Sequence, residues 1–310
     1  MEARPWTVRT LLAETTRFLA GKGIHSARLD AELLLARALG CGRIDLYLDF
    51  DKPLSNGELD AFRELVRRRG RREPVAYILG EKEFYGILFA VGPGVLVPRP
   101  ETEHLVDAAL ADVGVSGRAR DPLSILDLGT GSGSILLALL SRLENACGVG
   151  VDREPAALAW ANRNAARLGL QSRARFVRGS WFDAILPDAR FDLVVANPPY
   201  VAPEEWPGLA PEITHFEPES ALVSQEKGTA DLRALARDVE RHLAPEGRVY
   251  LEVGMDQGAR VAGLLAASAG LVSVDVLPDY GGRDRVVRAA AAPERARGGP
   301  GGRDAVLLGV

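Results

Sequence analysis

The chain has 310 residues, of which 47% are hydrophobic, and a formal net charge of -4. That length can bury a large core and hold two domains, while the charge excludes a strong global field drawing it onto nucleic acid or anionic lipid. Two cysteines, Cys41 and Cys147, are too few for a disulfide scaffold or a cysteine-rich metal site and suit a reducing cytoplasm.

The N-terminal MEARPWTVRT has no apolar signal core, and no apolar run reaches membrane-spanning length. The first part reads as helices. After Ser26, the stretch ARLDAELLLARAL places Leu29, Leu33, Ala36 and Leu39 at helical spacing. Ser55 and Glu58 form a capping box ahead of LDAFRELVRRR. RRRGRR, residues 67–72, is the densest positive patch. It reads either as a solvated helix end favoured by the macrodipole or as a surface for an acidic or RNA-bearing partner. His25, His104, His215 and His242 show no metal-ligand spacing and read as surface or packing residues.

From Glu83 the texture changes to EFYGILFAVGPGVLVPRP, whose aromatic and β-branched residues broken by Gly86, Gly92 and Gly94 predict a hairpin. Pro98 and Pro100 end it, and ETEHLVDAAL follows as a helix with acidic residues at its positive end. After Asp121, strand and helix alternate: SILDLGTGSGSILLALL, then GVGVDREPAALAWANRNAARLGL, then the strands of ARFVRGSWF and FDLVVANPPY. The helix GTADLRALARDVERHL precedes GRVYLEVG, and LVSVDVLPDYGGRDRVVRAA offers two strands to close one sheet edge. The pattern is α/β with a largely parallel sheet. The glycine-rich end ERARGGPGGRDAVLLGV reads as mobile.

Two places carry chemistry. In the run Asp127 to Gly133 an apolar strand feeds a glycine turn and then a helix, so the backbone can approach a ligand closely. A lone glycine turn also suits a nicotinamide dinucleotide. Asp152 ends the next strand, 25 residues after Asp127 (152 minus 127), where its carboxylate can accept from two ribose hydroxyls. The second place is Asn197-Pro198-Pro199-Tyr200. An amide or aryl amine nitrogen is a poor nucleophile because its lone pair is delocalised. The Asn197 side-chain oxygen and the Pro198 carbonyl can accept its two N–H groups, Pro199 fixes that carbonyl, and Tyr200 covers a planar group. This is positioning and electrostatics without a histidine base.

The alternating Gly129, Gly131 and Gly133 of DLGTGSG resemble the loop of class I S-adenosylmethionine-dependent methyltransferases, a Rossmann-like fold. Asn-Pro-Pro-Tyr resembles the signature of methyltransferases acting on planar-group nitrogens, DNA adenine and protein glutamine enzymes among them. VPRPETE (97–103), GSWF (179–182), FEP with AL (216–222), LDAELLLARAL, RREPVAYILGEKEFYG, LEVGMDQG and DYGGRDRVV together resemble the bacterial HemK/PrmC family, the peptide chain release factor N5-glutamine methyltransferases, over about residues 5–290.

The resemblance implies a small N-terminal helical domain (1–78) that helps dock the protein substrate. A hairpin linker (79–100), a class I methyltransferase domain (101–290) and a flexible tail (291–310) follow. It implies methyl transfer from S-adenosyl-L-methionine to the glutamine of the Gly-Gly-Gln motif in class 1 release factors, with a ribosomal-protein glutamine or a DNA adenine enzyme as alternatives. By resemblance, Gly129, Thr130, Gly131, Ser132, Gly133, Asp152, Trp181 and Asn197 contact the cofactor. Asn197, Pro198, Pro199 and Tyr200 form the glutamine pocket, with Asn197 and Pro198 catalytic and no metal. A cytoplasmic monomer without a stable nucleic-acid or membrane partner is expected. Arg99 and Glu103 stand either near the pocket or as supports of the hairpin. SQEKGTADL departs from the family's usual glycine-aspartate-glycine stretch and is expected to lie outside the cofactor contacts.

Overall fold

The computed structural model describes residues 5–293, which divide into two compact units. The first is helical and holds residues up to Glu81 together with 210–216. The second holds 82–209 and the residues from 217 onward.

In the helical unit, α1 (Val8–Gly21), α2 (Ala27–Leu39), the single turn α3 (Asp45–Leu48), α4 (Asn56–Gly70) and α5 (Val75–Leu79) surround a core that includes Leu12, Leu34, Leu35 and Phe62. The predicted capping box is present. Ser55 Oγ accepts from the Glu58 backbone, and the Glu58 carboxylate accepts from Ser55 N at 2.8 Å, so two orphan donors of the first turn are satisfied. Thr7 and Thr10 cap α1 in the same manner.

Two expectations need correction here. In α2 the buried face holds Ala27, Ala31, Leu34, Leu35 and, of the four expected residues, Ala36, while Leu29 is 43% exposed. Apolar residues run continuously from Leu33 to Ala36, so helical spacing could not single out one face, and packing against α1 and α4 chose it. The RRRGRR patch is also not a free cationic surface. Arg69 is buried, donating to Asp30 Oδ2 at 2.6 Å and Glu212 Oε1 at 2.8 Å, and Arg72 donates to Glu212 Oε2 at 2.6 Å. Arg67 and Arg68 pair with Glu64 and Glu73. These arginines neutralise acids of their own unit.

From Lys82 the second unit takes up the hairpin of β1 (Glu81–Phe84) and β2 (Ile87–Ala90). Its two-residue turn, Tyr85-Gly86, has positive φ at both positions (55° and 75°), the twist that suits a tight hairpin. Then follow α6 (Glu103–Val115), β3 (Ser124–Leu128), α7 (Ser134–Arg142), β4 (Cys147–Asp152), α8 (Pro155–Leu168), β5 (Ala174–Arg178) and β6 (Phe191–Ala196). α9 (Pro211–Phe216) is the stretch that belongs with the helical unit, which the sequence did not suggest. The chain continues through the single turn α10 (Gln225–Gly228), α11 (Ala230–Asp238), β7 (Leu243–Glu252), α12 (Gly258–Ala266), β8 (Leu271–Pro278) and β9 (Asp284–Ala291).

Seven of the nine strands form one sheet in the order β5-β4-β3-β6-β7-β9-β8, with β9 antiparallel to both of its neighbours. Both faces are covered. One core includes Leu105, Leu136 and Leu139, the other Leu126, Leu128, Val194 and Leu251, which is why the inner strands read as unbroken apolar runs. Strand order reverses between β3 and β6, so the crevice at their carboxyl ends is a topological switch point. Leu128 pairs with Ala196 and with Val151, which brings Gly129, Asp152 and Asn197 together. The expected tail is ordered at its start, where Ala291 is in β9 and Ala292 N donates to Gly270 O. Its remainder, from 294, lies outside the described residues.

Candidate active site

A cleft opens at this switch point. Gly129, Thr130, Gly131, Ser132, Asp152, Trp181, Asn197 and Pro199 line it. Gly133, Pro198 and Tyr200 do not. Gly133 starts α7, and a Cβ there would press on Leu137, Ala161 and Phe176 at 3.1–3.3 Å, so it permits packing between elements. Tyr200 turns away, towards the β7 end.

The loop side is built largely from main chain. Gly129, Gly131 and Gly133 all have positive φ (74°, 55° and 79°), which side-chain-bearing residues adopt only with strain. Asp152 Oδ2 accepts from Gly131 N and its Oδ1 from Glu154 N, each at 2.9 Å, so the carboxylate is aimed before any ligand arrives. Burial pushes its pKa above the usual range, and those two N–H groups pull the other way. Behind it Asp127 is fully buried, its carboxyl pushed up to about 7 by burial against the Thr130 hydroxyl that donates to it at 2.6 Å. Asn164, which sequence reading passed over, holds this loop in place. Its Nδ2 donates to Ser132 O and Ala90 O, and its Oδ1 accepts from Ala90 N. Only an amide at that helix position could satisfy all three, and no short motif announces it.

Trp181 sits against Gly129 with φ at 51°, a left-handed conformation that is costly for a bulky residue. Its ring N–H donates to Asp231 Oδ1 at 3.2 Å, which fixes the indole at the cavity wall.

The β6 side is built from side chains. Asn197 Nδ2 donates to Thr102 Oγ1 at 3.1 Å, and the Tyr200 hydroxyl donates to Glu252 Oε1 at 3.3 Å. Burial pushes the Tyr200 phenol well above its ordinary pKa, so it stays a neutral donor. The Tyr200 carbonyl accepts from Gln257 Nε2, and Gly228 lies so close that a Cβ would stand 2.1 Å from that carbonyl oxygen. The SQEKGTADL stretch therefore buttresses the Asn-Pro-Pro-Tyr turn, a role the sequence did not show. Arg99 lines the cavity and donates to Glu217 Oε1 at 2.6 Å, while Glu217 Oε2 accepts from Val97 N, tying VPRP to FEP. Glu103 accepts from Tyr85 N and so supports the hairpin. His242 is buried, stacked on Phe182 and hydrogen-bonded to Ala189 O, as a packing residue.

These walls suit a ligand with a hydroxyl-bearing part and an apolar planar part. Asp152 offers a carboxylate, Ser132 Oγ is buried without a hydrogen-bond partner, and Val95, Ile135 and Ala157 are apolar neighbours. Among the described residues no cluster of acidic, histidine or cysteine side chains could hold a metal ion.

Comparison with known proteins places residues 10–80 in the PrmC N-terminal domain family and residues 120–258 in a methyltransferase domain family. The release factor glutamine methyltransferase of Geobacter sulfurreducens is 43% identical over 282 residues, covering 91% of this chain and 96% of that protein. The one from Cereibacter sphaeroides is 44% identical over 271 residues, 87% of this chain and 94% of its own. Among solved structures, the hMettl16 catalytic domain, in complex with the MAT2A 3′UTR hairpin 6, aligns with 72% of this chain and 81% of its own. Its TM-score is 0.52 at 15% identity, a likeness of fold alone.

Proposed function

The chain belongs to the release factor glutamine methyltransferase family, and from that premise we propose its reaction. It transfers a methyl group from S-adenosyl-L-methionine to N5 of the glutamine in the Gly-Gly-Gln motif of class 1 peptide chain release factors. The observation that carries this reading is Asn197, held by Thr102 at the cavity wall one residue beyond β6 and across from the glycine loop.

Bound S-adenosyl-L-methionine supplies an electrophilic methyl carbon on a sulfonium centre. On the protein side, Asp152 accepts from the ribose hydroxyls, and Gly129 to Ser132 pack the backbone against the methionine part. Trp181 flanks the adenine. Asn197 Oδ1 accepts one N–H of the glutamine amide, the Pro198 carbonyl beside the cleft is the second acceptor, Pro199 stiffens the turn, and Tyr200 braces that turn from behind through Glu252. Two acceptors favour a nitrogen that pyramidalises with its lone pair towards the methyl carbon. Asn197 and Pro198 would hold the amide nitrogen for the methyl group that the bound donor would supply, leaving the donor as a neutral thioether, and the proton released from the nitrogen would pass to water. Gly133 serves this site by letting α7 pack.

The enzyme is read as a cytoplasmic monomer with no stable nucleic-acid or membrane partner. The negative net charge and the pairing of Arg69 and Arg72 with Asp30 and Glu212 argue against a nucleic-acid partner. No helix among the described residues is long and apolar enough to cross a membrane. Incubation with donor and purified release factor, followed by peptide mass spectrometry, should place one methyl group on the Gly-Gly-Gln glutamine. An unmodified glutamine beside a methylated ribosomal protein would overturn the substrate assignment.

A further inference from the structure

Glu252 ends β7 beside the Asn197–Tyr200 turn and is fully buried. Its Oε1 accepts from the Tyr200 hydroxyl and lies 4.0 Å from Arg285 Nη1, while its Oε2 is buried with no closed hydrogen bond. Arg285 is itself buried and reaches Asp279 Oδ2 at 3.4 Å, so the DYGGRDR stretch (279–285) supplies the nearest cation and its anchor. Thr102, 3% exposed, faces the same carboxyl with its hydroxyl, and it is Thr102 Oγ1 that accepts from Asn197 Nδ2.

The order of donors and acceptors decides the chemistry. A hydroxyl that accepts from an amide N–H must point its own hydrogen elsewhere. The carboxylate of Glu252 is acceptor-only when ionised and its Oε2 is buried with no hydrogen bond, so it is the acceptor towards which the Thr102 hydrogen would turn. Thr102 then presents a lone pair to Asn197, which directs Nδ2 inward and Oδ1 to the cavity. Were the amide reversed, an N–H would face the substrate N–H and no acceptor would remain.

We propose that Glu252 is a positioning residue for methyl transfer, acting through Thr102 to set which end of the Asn197 amide faces the substrate nitrogen. The same carboxyl accepts from the Tyr200 hydroxyl, so one buried side chain orders both ends of the Asn-Pro-Pro-Tyr turn. The inference rests on the reading of Asn197 as the acceptor for the glutamine amide.

The test compares Glu252→Gln, Thr102→Val, their double variant and Thr102→Ser. Glutamine keeps the shape of Glu252 and can still accept from Tyr200, but it can also donate to Thr102, and so loses the one-way order. Glu252→Gln should lower kcat roughly 10- to 100-fold, with release-factor KM and calorimetric cofactor Kd within about two-fold of wild type. Thr102→Val should lose about as much, Thr102→Ser should restore the rate, and the double variant should be no worse than the poorer single. A wild-type kcat in Glu252→Gln, or fully additive losses in the double, would overturn the proposal. Should the wild-type protein leave release factor unmethylated, the functional reading fails instead. The Asn197 side-chain N–H signals in NMR then decide this inference separately. They should lose protection from exchange in Glu252→Gln, and unchanged protection would refute it.

Discussion

On the β3–β4 side of the cavity, Asp152 is held by two backbone N–H groups and the glycine loop keeps its path through positive φ angles. On the β6–β7 side, Asn197, Thr102, Tyr200 and Glu252 hold one another through side chains, with Gly228 and Gln257 pressing on the Tyr200 backbone. The contrast teaches what each wall is for. Main-chain groups cannot be repositioned by rotamer changes, which suits an invariant small molecule. Side-chain groups can be arranged to favour one polarity of hydrogen bond, which suits a reaction at a planar nitrogen. The first wall should govern binding and the second turnover.

The sharpest test of that division is Asn197→Ala. It should cut kcat by about 10²-fold or more while leaving the calorimetric Kd for S-adenosyl-L-methionine almost unchanged. Equal losses in both would move Asn197 to the cofactor wall and erase the comparison. Asp152→Asn should do the reverse. Losing hydrogen bonds to a charged acceptor, worth about 1.5–3 kcal/mol, should weaken cofactor binding roughly 10- to 100-fold and leave kcat at saturating donor much less affected.

The smallest effect is one of pH, and it reads both walls at once. Burial pushes Asp127 on one side and Glu252 on the other up to about 7, from ordinary values of 3.8 and 4.5. At Glu252 the Thr102 and Tyr200 hydroxyls and Arg285 oppose the rise, and Glu101 adds to it. A carboxyl whose folded pKa exceeds its unfolded one binds its proton more tightly when folded. Its stabilisation is complete below the unfolded value and is lost as pH rises through about 7. The melting temperature should therefore fall as pH climbs from 4.5 to 7, and Asp127→Asn and Glu252→Gln should each flatten part of that slope. An unchanged slope in both variants would show that these groups carry ordinary pKa values.

Much of the site was legible in the chain because its parts are local. DLGTGSG needs glycine at consecutive odd positions, Asp152 must end the next strand, and two prolines after Asn197 announce a strand that stops in a rigid turn. Residues that act through others left no such trace. Asn164 is one amide among polar helix residues, Glu252 one acid after an apolar strand, and Thr102 lies between two glutamates. Their roles depend on burial and on partners up to about 150 positions away (252 minus 102). For the 67–72 arginines the helix-end reading holds, with Arg67 to Arg69 in the last turn of α4, but their partners were only partly legible. Glu64 and Glu73, which pair with Arg67 and Arg68, are close in the chain, but Asp30 and Glu212, which neutralise Arg69 and Arg72, are not.

By itself, then, the sequence determined the alternation of strand and helix, the glycine turn, the capping boxes and the Asn-Pro-Pro-Tyr exit, since each follows from the conformational limits of residues close in the chain. Tertiary structure alone decided which face of α2 is buried, that 210–216 belongs with the helical unit, and that Tyr200 looks to Glu252 rather than into the cleft. Those outcomes turn on which distant groups share a desolvated space, where an unpaired charge or hydroxyl is costly and each polar atom must find a partner.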